Sequence, residues 1–238
     1  MNKSKTIVIL HGWKLSSKRY KPLVEELGKL GYKVYIPDMP GNGVTAIPKN
    51  PFTLDDYVEY VLKYLSTNKL RRFTLIGHSF GGRVGIKLVA KNPEFINKLV
   101  LTGTPGLIPV SATKIRMFLV LAKIGNMFFS LPVLEAFKDL ARRGLYRLAK
   151  SSDYYHTDGV MRQTFKNIIR ADLVKSMSKL VLPVTLVWGE LDEAVPVNVA
   201  KTMQKMIKGS TLVVIPGSGH DVIWTKPLEF VDAFNTNK

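Results

Sequence analysis

The arrangement in this sequence best suited to chemistry is a serine held between glycines. Gly77-His78-Ser79-Phe80-Gly81 has the Gly-x-Ser-x-Gly spacing of a nucleophile elbow, a sharp turn that exposes a serine oxygen to a neighbouring base. A serine hydroxyl is a weak nucleophile by itself, so the turn needs an imidazole to take its proton and an acid to orient that imidazole. The chain supplies both further on. Asp192 lies in Trp188-Gly189-Glu190-Leu191-Asp192-Glu193-Ala194-Val195-Pro196, and His220 closes Gly217-Ser218-Gly219-His220. Serine before acid before histidine is the order that accompanies such an elbow, and the chemistry it points to is acyl transfer through an acyl-serine.

Elimination supports these choices. Of the 4 histidines, His11 follows the first apolar run, His78 sits inside the elbow and His156 falls in a long intervening segment, which leaves His220 as the base. His11 and His78 are expected to hydrogen-bond the loops that frame the site. Among the acids, Glu190, Glu193 and Asp221 compete with Asp192. Asp221 is set aside because adjacent side chains in an extended loop point apart, and Glu193 stays as the alternative to Asp192. Acyl transfer also needs donors for the oxyanion. The backbone N–H groups of Phe80, after the serine, and of Trp13, in His11-Gly12-Trp13 after the first apolar run, are the candidates.

Residues so far apart in sequence must be brought together by an ordered frame. Short apolar runs recur at Thr6 to Leu10, Lys33 to Ile36, Phe73 to Ile76, Lys98 to Leu101, Val184 to Trp188 and Thr211 to Ile215, each followed by a helix-like stretch. Near-continuous apolarity suits strands covered on both faces, so the fold class is α/β with a mostly parallel sheet. Helices are expected from Lys21 to Leu30, after an N-cap at Thr53, and from about Gly82 to Lys91. Asp192 and His220 each fall just beyond a strand's carboxyl end, the edge where open α/β sheets bind ligands.

The alternation breaks after Leu101. About eighty residues precede the next strand, far more than one crossover needs. Residues 107–170 are read as an inserted helical cap on a core formed by 1–106 and 171–238. Its apolar residues exceed what docking two short helices requires, so Met117, Phe118, Phe128 and Phe129, with Val195 from the core, are candidate pocket residues.

Composition narrows the classes. A hydrophobic fraction of 46% in 238 residues is that of a globular protein, and the absence of cysteine excludes disulfides and thiolate chemistry. Lysine and arginine give a net charge of +17, yet they are dispersed, without a basic run or nucleic-acid-binding motif, so no specific nucleic-acid partner is expected. Basic residues spread between Lys114 and Arg147 leave peripheral contact with an anionic surface open. Met1-Asn2-Lys3-Ser4-Lys5 leads into an apolar run too short for a signal-peptide core, and Leu99 to Thr113 is too short and too broken to span a bilayer. A cytoplasmic location follows as an expectation; oligomeric state leaves no mark in the sequence.

Taken with Pro37-Asp38-Met39-Pro40-Gly41-Asn42-Gly43, these landmarks make the chain resemble the α/β-hydrolase superfamily, in its capped carboxylesterase and carbon-carbon hydrolase branch, over nearly its whole length. The resemblance implies a six-stranded sheet in the order 2-1-3-4-5-6, no cofactor, and a small-molecule ester substrate. Asn42 departs from the histidine or other basic residue common in related sequences, and Lys14 from a frequent glycine. The leading expectation is hydrolysis of apolar carboxylic esters. Lactone or carbon-carbon hydrolysis are enzymatic alternatives with the same triad, and a receptor-like ligand-binding protein is an alternative of another class.

Overall fold

Aliphatic runs with no polar face must be covered on both sides, and parallel strands flanked by helices meet that need. The computed structural model describes residues 5–106 and 159–235. Within them lie strands β1 Thr6–Leu10, β2 Lys33–Tyr35, β3 Phe73–His78, β4 Ile96–Thr102, β5 Val184–Gly189 and β6 Thr211–Ile215. They form one sheet in the order β2-β1-β3-β4-β5-β6, with every neighbouring pair parallel. This is the expected α/β-hydrolase order, and it places β3, which carries the elbow, between β1 and β4.

Eight α-helices are described: α1 Lys21–Lys29, α2 Leu54–Thr67, α3 Phe80–Lys91, α4 Gly159–Arg170, α5 Val174–Met177, α6 Val197–Met206, α7 Val222–Thr225 and α8 Pro227–Asn235. The pleat sends alternate strand residues to opposite faces. Ile7, Ile9, Ile76, Val100 and Val187 meet Leu23, Leu27, Ile223, Phe230 and Phe234 of α1, α7 and α8 on one side. Val8, Leu10, Leu75, Leu99, Leu101 and Leu186 meet Tyr57, Val61, Val84, Leu88 and Met203 of α2, α3 and α6 on the other. None of the described helices is long and apolar enough to cross a membrane.

Local chemistry fixes the helix ends. Thr53 begins α2 with a reciprocal capping box: the Asp56 amide donates to its hydroxyl, and its own amide donates to the Asp56 carboxylate at 2.6 Å. Asp55 then binds Lys87 at 2.6 Å and Lys91 at 2.5 Å, tying α2 to α3. Helix α3 starts at Phe80, ahead of the expected Gly82, because Ser79 alone makes the turn from β3.

Residues 107–158, most of the expected cap, lie outside the described residues; Met117, Phe118, Phe128, Phe129 and His156 are among them. The last part of the expected cap, beyond those residues, is α4, which rests on the core. The Phe52 amide donates to Thr164 Oγ1 at 2.9 Å, and Asn167 Nδ2 donates to the Phe52 carbonyl at 3.1 Å. Arg83, buried on α3, donates to the Pro105 carbonyl on one flank of residues 107–158. On the other flank it reaches the carbonyls of Ile168, at 2.8 Å, and Ala171, at 2.6 Å. Burial pushes its guanidinium down to about 10, still cationic at neutral pH. In Arg83→Met the three carbonyls lose this donor while the cost of burying a charge is relieved. We expect a net loss of about 2 kcal/mol in urea unfolding followed by circular dichroism. A change below about 0.5 kcal/mol would mean that the guanidinium does not hold these flanks.

Candidate active site

The reversal between β3 and α3 is confined to Ser79. Its φ of 51° and ψ of −115° lie in a region that costs a residue with a side chain about 1–3 kcal/mol. Two bonds hold it there: the Ser79 amide donates to the Thr102 carbonyl at 2.9 Å, and the Gly82 amide donates to the Ser79 carbonyl at 3.0 Å. The flanking glycines permit backbone contact. A Cβ on Gly77 would stand 2.5 Å from Gly82 Cα, so any side chain there would push the strand off the helix.

The loops after β5 and β6 meet beside this turn. His220 Nδ1 donates to Asp192 Oδ2 at 2.8 Å, with the Asp192 side chain 1% exposed and that of His220 29% exposed. The second carboxylate oxygen of Asp192 accepts the Val195 amide at 2.7 Å, so both oxygens are engaged and the acid is fixed. Asp192 is therefore the acid that meets His220. Glu193 is exposed, Glu190 accepts the Gly217 amide at 2.9 Å, and Asp221 stands at the start of α7, its carbonyl accepting the Trp224 and Thr225 amides. Val195, expected at the pocket, is buried in the apolar cluster of α2, α3 and α6; its carbonyl accepts Trp188 Nε1 at 2.8 Å.

Gly103, directly after β4, forms the floor under the pair. A Cβ there would lie 2.6 Å from His220 Cε1 and 3.4 Å from Asp192 Oδ2, and its φ is +53°. In the sequence this glycine stands out only as one of the breaks in the apolar stretch from Leu99 to Thr113. Its position directly beyond a central strand was the available signal.

The turn after β1 completes the site. The Trp13 ring stands edge-on to Phe80 with centroids 5.3 Å apart, which places the two candidate oxyanion residues side by side. Phe165 of α4 packs on the same indole at 5.3 Å. Lys14 adopts φ +56°, a left-handed conformation that glycine takes more freely, and its amide donates to Asn42 Oδ1 at 2.7 Å. Asn42 is buried and returns a bond from Nδ2 to the Pro40 carbonyl at 3.1 Å. The departure at Asn42 thus shapes the turn, which its residue type alone did not disclose. Among the described residues, no cluster of three or more His, Asp or Glu side chains is arranged to hold a metal ion.

His11 and His78 frame these loops as expected. His11 Nδ1 donates to the Gly12 carbonyl and its Nε2 accepts the Met39 amide, both at 2.8 Å. Burial lowers its pKa. Burial, helped by the nearby His220, pushes His78 down to about 3. An unfolded imidazole protonates near 6.5, so across this window the unfolded chain binds protons that the folded one refuses. Stability should fall as pH drops from about 6.5 towards 3. The slope of melting temperature against pH should be shallower in His78→Gln than in the native chain; equal slopes would show that His78 titrates alike in both states.

Comparison with known proteins agrees with this fold. The family model described as alpha/beta hydrolase fold matches residues 5–227. The AB hydrolase superfamily protein YisY of Bacillus subtilis is 27% identical, covering 92% of this chain and 85% of its own length. The pimeloyl-(acyl-carrier protein) methyl ester esterase of Nitrosomonas europaea is also 27% identical, covering 96% of this chain and 94% of its own. Among solved structures, the bromoperoxidase of Bacillus anthracis superposes with a TM-score of 0.75 at 24% identity, covering 98% of this chain and 91% of that one. The strand order, the one-residue turn and a match over nearly the whole length lead to one conclusion: this chain belongs to the α/β-hydrolase fold family.

Proposed function

We propose that the protein is a serine hydrolase that cleaves carboxylic esters of small to medium apolar substrates. Ser79 is the nucleophile, His220 the general base, Asp192 its orienting acid, and the Trp13 and Phe80 amides the oxyanion donors. The observation that carries this reading is the 2.8 Å His220–Asp192 bond at the mouth of the strained turn, with the His220 ring against Gly103 and 5.1 Å from that of His78, which precedes Ser79. The esterase from Nitrosomonas europaea, similar over nearly its full length, favours ester chemistry.

Each step then falls to a named group. With its Nδ1 proton held by Asp192, His220 presents the lone pair of Nε2 and takes the proton from Ser79 Oγ as that oxygen attacks the ester carbonyl carbon. Negative charge builds on the carbonyl oxygen, where the two amides stabilise it. Collapse breaks the bond to the alkoxide, which leaves with the proton from His220. Water, deprotonated in turn by His220, attacks the acyl-serine and releases the acid, restoring Ser79. Asp192 balances the imidazolium in both halves.

The expected cap, residues 107–170, roofs this site in our reading. Its final helix α4 presses Met161 onto Gly41 and Phe165 onto Trp13. An apolar roof favours longer acyl chains by about 0.8 kcal/mol per buried methylene, close to fourfold per carbon until the pocket fills.

Hydrolysis of p-nitrophenyl acetate, butyrate, hexanoate and octanoate, beside a lactone panel, tests the reading. Ser79→Ala and His220→Ala should each lose at least about a thousandfold in kcat, and Asp192→Asn at least about a hundredfold. Full activity in Ser79→Ala would remove the serine mechanism. A larger loss in Glu193→Gln than in Asp192→Asn would reassign the acid, and preference for lactones or for acetate would replace the substrate class.

A further inference from the structure

Three groups with no part in the reaction above form one buried line across the elbow. The Gly12 amide donates to Tyr20 Oη at 2.9 Å, Tyr20 Oη lies 2.8 Å from His78 Nδ1, and His78 Nε2 lies 3.2 Å from the His220 carbonyl oxygen. Chemistry forces the direction of every bond. A carbonyl only accepts, so His78 carries its proton on Nε2; Nδ1 must then accept, so the Tyr20 hydroxyl donates to it and uses a lone pair for the Gly12 amide. Only one of the two neutral tautomers of His78 satisfies the line. Tyr20 is 0% and His78 1% exposed, so water is not at hand to replace a missing partner. Trp224 stands edge-on to both rings, at 5.6 Å and 5.1 Å.

The two ends of this line matter. Gly12 immediately precedes Trp13, whose amide is a proposed oxyanion donor, and the carbonyl at the far end belongs to the residue whose ring is the proposed base. We propose that Tyr20 and His78 are positioning residues that hold the oxyanion turn and the His220 loop at a fixed separation on either side of Ser79. This rests on the ester-hydrolase reading. A turn and a loop that drift apart misplace the amide and the imidazole relative to the reacting carbonyl while leaving the apolar contacts of the substrate intact. The effect therefore falls on kcat rather than KM.

Tyr20→Phe keeps the ring and removes only the hydroxyl, leaving the Gly12 amide and His78 Nδ1 unpaired. With p-nitrophenyl butyrate we expect kcat about tenfold lower with KM within about twofold, and an equal fall in the rate of Ser79 labelling by a fluorophosphonate. His78→Gln, which keeps a donor for the His220 carbonyl, should retain more activity than His78→Leu. Nitrogen-15 NMR of the native protein should find the His78 proton on Nε2. Native kcat and labelling in Tyr20→Phe, a loss confined to KM, or a proton on His78 Nδ1 would each overturn the coupling. Absence of both turnover and Ser79-dependent labelling in the native protein would instead overturn the hydrolase reading, and the coupling with it.

Discussion

A single residue bears the constraint on which the rest of the structure depends. Ser79 is held at φ 51°, ψ −115°, a conformation its own side chain disfavours, and only surroundings with no softer alternative can keep it there. The central place of β3 provides them. β1 and β4 pair with it through to its last residues, with Gly77 opposite Leu10 and Leu101 and His78 opposite Thr102, and the Ser79 amide continues the ladder onto the Thr102 carbonyl. Helix α3, most of its residues buried, cannot shift to relieve the turn. Because all six strands run parallel, the loops bearing Trp13, Gly103, Asp192 and His220 leave the sheet at the same edge as Ser79. The strain and the convergence have one origin, a central parallel strand that ends in a one-residue reversal.

Loops at that edge have no ladder of their own, so their backbone groups must be satisfied by side chains. His11 bridges the Gly12 carbonyl and the Met39 amide, and Asn42 receives the Lys14 amide. Asp38 accepts the amides of Ser17 at 2.6 Å and Val44 at 3.1 Å. Although burial opposes its charge, those amides hold the Asp38 carboxyl below the usual carboxylate range. The turn after β1 and the loop after β2 are thereby one polar unit, and a left-handed lysine at position 14 is tolerated because Asn42 supplies the acceptor.

The parts legible in the sequence were those written in residue types. Doubly buried strands show as apolar runs, and the elbow, Asp192 and His220 occupy short motifs at strand ends. Strand limits were less visible, because hydrogen-bond ladders ignore side-chain chemistry: β3 runs on through Gly77 and His78, and β4 begins as early as Ile96. Gly103, Arg83 and the pairing of Asn42 with Lys14 went unrecognised for a shared reason. Each acts through a contact with a residue distant in sequence, and no local spacing encodes such a contact. Val195, a candidate pocket residue by its type, has a further role that its type does not disclose: its amide fixes the acid while its side chain packs in the core.

Arg83 brings the two flanks of residues 107–158 to one guanidinium. A segment whose ends are pinned together at the core pays for closure only as the logarithm of its length, so doubling it costs roughly 0.6 kcal/mol. The pinning contacts are all made by described residues at the two flanks, so this closure cost depends on the segment's length and not on its sequence. At this neck, then, lengthening or shortening the segment meets only a weak entropic penalty, and Ser79, Asp192 and His220 all lie outside it in sequence.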